Sequence, residues 1–133
     1  DRSCADYTDT VTQKLLRQPL NADDGWPVGA PEVFIDLSAK GLNPDGAVTD
    51  ADGTLWVAIW GSSCVIAFGR DGTEQRRLDV PARQPTCPAF GGDDLRDLYV
   101  TSANEGLPQD AVNGATYLFA DMAQGLPEPK VIL

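Results

Sequence analysis

The chain contains no histidine, and this narrows its chemistry more than any residue it does contain. Ser-His-Asp and Cys-His nucleophilic catalysis, histidine-bound zinc or iron, and the commonest general base at neutral pH are all removed. No Cys-x-x-Cys, Gly-x-Gly-x-x-Gly or Gly-x-x-x-x-Gly-Lys-Ser/Thr occurs, so zinc ribbons, dithiol redox sites and the main phosphate-binding loops lose their support. Any catalysis must use carboxylates, a bound metal, a hydroxyl or thiol, Lys or Tyr. One carboxylate stands out. Asp45 sits in Asn43-Pro44-Asp45-Gly46, directly ahead of a β-prone run. Aspartate in such a corner either bonds its own backbone to make the turn or offers oxygen to a hard cation. Asp50-Ala51-Asp52-Gly53 reads as a hairpin tip with solvated acids. As a calcium loop it fails, because an EF-hand register ending at Gly53 puts Val48 and Ile59 where acids are required.

Charge points the same way. Ten Lys and Arg stand against 20 Asp and Glu, a net charge of −10, which repels nucleic acid and anionic membrane and suits a cation or a neutral small molecule. Cys4, Cys64 and Cys87 are odd in number and widely spaced, so they read as buried free thiols of a reducing compartment, hence a cytoplasmic location. No run approaches ~18 apolar residues. The start, Asp1-Arg2-Ser3-Cys4, has no basic-then-apolar signal pattern.

The elements that must position Asp45 are strands. Helical periodicity is scarce: Val11 to Leu16 could start a helix, but Pro19 cuts it short. Short β-prone runs split by Gly, Pro, Asn and Asp dominate, and they repeat. Ala5 to Thr10 overlays Leu55 to Trp60 and Leu98 to Ala103, and each is followed by a second strand, a turn and a closing strand. A period of 40 to 50 residues with up to four strands per unit predicts propeller blades, here about 1–38, 44–80 and 85–133, the first lacking its first strand. A sandwich would not require recurring turns at matched offsets. Strand 55–59 should be central in its sheet. Three blades do not close a ring, so the rest of the ring or a second copy must cover the end faces.

The segments "NPDGAVTDADGTLWVAIWGSSCVIAFGRDG", "PTCPAFGGDDLRDLYVTSA" and "GLPEPK", preceded by "YTDTVTQKLLRQPLNADDG", resemble the C-terminal half of the senescence marker protein, regucalcin and gluconolactonase family. The resemblance covers essentially the whole chain, with its pieces in family order. It implies an all-β, six-bladed propeller, about three blades of it here, with a divalent cation in the central channel, usually Ca2+ and otherwise Zn2+, Mg2+ or Mn2+. The implied activity is hydrolysis of sugar lactones and related cyclic esters. Asp45 falls on the family's aspartate ligand and candidate base. The family's ligating glutamate and asparagines have no counterpart in this chain. Trp60 would stack on a sugar ring or pack between blades, and Thr86 and Cys87, in the place Asp45 and Gly46 hold one blade earlier, would line the substrate channel. A homodimer would complete the ring. The alternative from another class is a non-catalytic half-propeller serving as an assembly or binding module.

Overall fold

The computed structural model describes residues 3–127. Among them there is no α-helix, only a 3-10 turn at Ser38–Lys40 and three antiparallel sheets. The first sheet holds β1 (Cys4–Asp9), β2 (Lys14–Pro19) and β3 (Glu32–Asp36). The second holds β4 (Asn43–Thr49), β5 (Leu55–Trp60), β6 (Cys64–Phe68) and β7 (Glu74–Asp79). The third holds β8 (Gln84–Gly91), β9 (Asp97–Ala103) and β10 (Thr116–Phe119). They stack face to face as consecutive propeller blades, and the strand expected at Lys130 to Leu133 lies outside the described residues. Val11 to Leu16 makes no helix. It forms the β1–β2 turn and the start of β2, because pairing with β1 and β3 satisfies backbone groups that a helix cut at Pro19 could not.

The stacking follows from β5. Leu-Trp-Val-Ala-Ile is buried without interruption, as expected of an interior strand covered on both faces rather than one. Leu55, Val57 and Ile59 pack with Leu15, Ile35 and Leu37 of the first blade, while Trp56 and Ala58 pack with Val80, Ala82, Leu98 and Val100 on the third-blade side. Each fully buried aliphatic there contributes about 1.5–3 kcal/mol. The outer strand β7, by contrast, carries Glu74, Arg76, Arg77 and Asp79, charges that blunt a free edge. The inner strands β4 and β8 are edges too, and they hold Pro44, Pro85 and Pro88, which lack an N–H and are tolerated in sheets chiefly at edges.

The repeat extends to backbone conformation. Gln13 and Ser63 both take positive φ, 59° and 53°, at the same point of the turn after the equivalent strands β1 and β5. The two terminal blades show what the middle one hides. Tyr7, Leu16 and Val33 are register partners across the first sheet, and Ala89, Tyr99 and Leu118 across the third. Tyr7 is 43% exposed, Val33 51%, Tyr99 37% and Leu118 55%. Both end faces therefore present an open apolar row.

Candidate functional site

Asp45 is not in a turn before a strand; it lies within β4. The ladder with β5 pairs Asn43 with Trp60 and Pro44 with Ile59, then resumes at Ala47 with Val57. Asp45 and Gly46 together oppose Ala58 alone, which is a β-bulge. Such an insertion bends the strand and re-aims a side chain. Proline makes it inexpensive at this point, because Pro44 has no ladder N–H to lose. The same device recurs in β8, where Pro85 pairs with Ser102 and Cys87 with Thr101, leaving Thr86 over.

The two bulges meet. A Cβ built on Gly46 would stand 2.7 Å from the Cys87 sulfur and 2.7 Å from the Thr86 carbonyl oxygen. Gly46 does not have a left-handed φ, so glycine is needed here for room and not for its dihedral freedom. On the other flank, Thr10 Oγ1 donates to the Pro44 carbonyl at 2.7 Å and Gln13 Nε2 donates to Asn43 Oδ1 at 2.7 Å. The start of β4 is thereby tied to the neighbouring blade.

The Asp45 carboxyl is half-buried and belongs to none of the ion pairs among the described residues. Burial raises its pKa above the ordinary aspartate value, opposed by the Gly46 N–H. Desolvation thus gives this carboxylate increased basicity. Cys87 is exposed, and partial desolvation and then the neighbouring Asp45 charge push its thiol upward. That disfavours the thiolate, so Cys87 is a poor nucleophile. Thr86 and Thr101 share a 2.6 Å hydroxyl contact; since Thr101 also donates to the Cys87 carbonyl at 3.3 Å, Thr86 is the donor between them. Trp60, half-buried, is the last residue of β5 and not part of the following loop, and it pairs with Asn43 two residues before Asp45. Asp45, Thr86 and Cys87 are thus brought together, with Trp60 at the same end of the blade.

Two further expectations change. Asp50 is 4% exposed, so the hairpin tip is not wholly solvated. Its carboxylate accepts the N–H groups of Asp52 (3.0 Å) and Thr54 (2.8 Å) and Trp56 Nε1 (2.9 Å), while Asp52 does face solvent. Nor are the thiols uniformly buried: Cys64 is, Cys4 is half-buried and Cys87 is open. The need for glycine at 46 is foreshadowed in the sequence only by the matched Pro44-Asp45-Gly46 and Pro85-Thr86-Cys87 triplets. As for a cation, no group of three or more Cys, Asp or Glu is placed to hold one among the described residues. Calcium takes about 6–8 oxygens, so one carboxylate does not fit it. Two surface cavities of about 460 Å³ each lie at the other end of β4, near Arg70 and Asp52 in one case and near Cys4, Arg17 and Asp50 in the other.

Comparison with known proteins sets this geometry in context. A family model described as the SMP-30/Gluconolactonase/LRE-like region matches residues 1–104. An L-arabinolactonase of Azospirillum brasilense is 43% identical over 100 residues, which is 74% of this chain and 33% of that protein. A pentonolactonase of Haloferax volcanii is 39% identical over 103 residues, 77% of this chain and 35% of that protein. The crystal structure of a calcium-binding protein, regucalcin, from Agrobacterium tumefaciens superposes with a TM-score of 0.91 at 40% identity, covering 98% of this chain and 46% of that one. The chain therefore spans about a third of the length of these curated relatives and about half of the solved structure.

Proposed function

Because this chain belongs to the SMP-30/gluconolactonase/LRE-like family, we propose that its inner-strand site serves the hydrolysis of sugar lactones in a completed propeller. The observation carrying this reading is Asp45: a carboxylate with no ionic partner among the described residues, raised in pKa by burial and held on a bulge between inner strands. As general base it takes a proton from the water attacking the lactone carbonyl, a role worth typically 10²–10⁴-fold. Collapse of the tetrahedral intermediate breaks the acyl C–O bond of the ring, and the leaving ring oxygen takes back the proton held by Asp45 to become a hydroxyl. Trp60 offers an aromatic face to the sugar, and Thr86 and Cys87 line the approach. A divalent cation, calcium or else zinc, magnesium or manganese, would take Asp45 as one ligand only where the rest of a ring supplied the others, and would then hold the Asp45 pKa down rather than raised. In the ring-complete protein, Asp45→Asn should lower lactone turnover about 10²-fold or more and Asp52→Asn should not, followed by pH-stat titration of released acid. Equal activities in the two variants reject the assignment.

The two open apolar rows support a second copy of this chain as the partner that covers the end faces and closes the ring. Light scattering at low micromolar concentration should then give twice 14.2 kDa, and a stable monomer rejects it. That no group of three or more Cys, Asp or Glu is placed to hold a cation among the described residues favours a second reading, a non-catalytic half-propeller acting as an assembly or binding module. That reading predicts a dimer without lactonase activity. The three free cysteines suit a reducing compartment such as the cytoplasm.

A further inference from the structure

The geometry points to Gly46 as a positioning residue: its missing side chain lets the bulge of β4 seat against the bulge of β8, and that seat holds the Asp45 backbone in place. The inference rests on the lactonase reading for its kinetic consequence but not for the contact itself. Of the glycines with an ordinary φ, Gly46 is the one whose Cβ would strike the neighbouring blade's inner strand, meeting Cys87 Sγ at 2.7 Å, Thr86 O at 2.7 Å and Cys87 Cβ at 2.8 Å. One obstacle is a backbone oxygen, which cannot rotate away as a side-chain tip can. The thiol could swing aside, but the Thr86 carbonyl moves only if β8 moves. An added methyl therefore pushes β4 and β8 apart at the position immediately following Asp45.

The opposite flank offers no compensating slack. Thr10 and Gln13 fasten Pro44 and Asn43 to the first blade at 2.7 Å each. Asp45 is thus the one residue between two fixed points, Pro44 on the first-blade side and Gly46 on the third-blade side. Displacing the second point rotates the carboxylate relative to a substrate bound by other residues. A misplacement on the order of 1 Å costs about 10²-fold in rate through orientation. Such a loss falls chiefly on turnover, because Trp60, which offers its face to the sugar, stands on β5 and not on the strand that is displaced.

The test compares Gly46→Ala with the parent in the ring-complete protein, measuring kcat and KM for a sugar lactone separately. Gly46→Ala should lose about 10²-fold in kcat with KM within about threefold, and Cys87→Gly in the same background should restore part of the loss by removing two of the three obstructing atoms. Unchanged kcat, a loss confined to KM, or a loss that Cys87→Gly leaves untouched each overturns the inference. Should Gly46→Ala fail to fold, Cys87→Leu presses on the same contact from an exposed position on β8 and must lower kcat at saturating lactone; an unchanged kcat there overturns it. If the parent hydrolyses no lactone, the functional reading has failed. The contact is then read by iodoacetamide alkylation of Cys87, which Gly46→Ala should accelerate several-fold. Equal alkylation rates sink the contact.

Discussion

Replacing Asp50 tests whether the acidic hairpin is held by a buried charge or merely decorated by one. Its carboxylate takes three N–H donors, two from the hairpin backbone and one from the Trp56 indole. The ring of Trp56 is itself buried against the third blade and meets Phe90 edge-on, 6.2 Å between centroids at 89°. The same hairpin receives the segment that follows β10, Ala51 N donating to the Gln124 carbonyl at 2.7 Å beside the Asp50–Gly125 bridge. Asp50→Asn keeps the size and one acceptor for the backbone, but it turns an amide N–H₂ toward the indole N–H. Loss of a charge-assisted bond with a donor left unpaired costs roughly 2–3 kcal/mol. Trp56→Phe removes the donor and should cost a similar amount, through the cavity left and the stranded carboxylate oxygen. The double variant no longer opposes two donors, so it should lose about 1–2 kcal/mol less than the sum of the singles. Urea unfolding measures this: with a slope of about 2 kcal/mol/M, each single shifts the midpoint by roughly 1–1.5 M. Additivity to within about 0.5 kcal/mol would refute the direct bond.

Asp45 carries a pH signature in stability. Its folded pKa is raised above the unfolded value, first by burial, so the folded state holds its proton longer and stability falls as pH rises from the ordinary aspartate range through the folded pKa. Asp45→Asn should be flat across that window and more stable than the parent above it, while losing activity; identical pH–stability curves reject this. Ile59→Ala, in the middle of the first inter-blade core, should cost about 2–5 kcal/mol, read as a loss of urea midpoint at constant slope. With a thiol reagent under native conditions, Cys87 should react, slowly near neutral pH because partial desolvation raises its thiol, and Cys64 should stay silent until unfolding. Immediate reaction of Cys64 would mean that the first inter-blade core is open.

The propeller was legible in the chain because its cause is local and periodic. Leu55 to Ile59 is apolar at every position, not at alternate ones, and only a strand covered on both faces wants that pattern. The turns that end such strands recur at offsets near 50 residues, down to the left-handed residues Gln13 and Ser63. The missing histidine likewise narrows the chemistry without any coordinates. What the sequence could not express were facts depending on which strands become neighbours. Pro-Asp-Gly is written identically whether it turns the chain or bulges inside a strand, and pairing of β4 with β5 decides for the bulge. Asp50 and Asp52 are equally acidic and two residues apart, yet one is buried under an indole six residues on and the other is in water. The need for glycine at 46 comes from Thr86 and Cys87, some 40 residues away, whose approach depends on how closely two blades pack. Patterns of hydrophobicity and turn chemistry are short-range and survive in the linear text. Contacts between separately formed sheets are steric and long-range, and they exist only once the sheets have stacked.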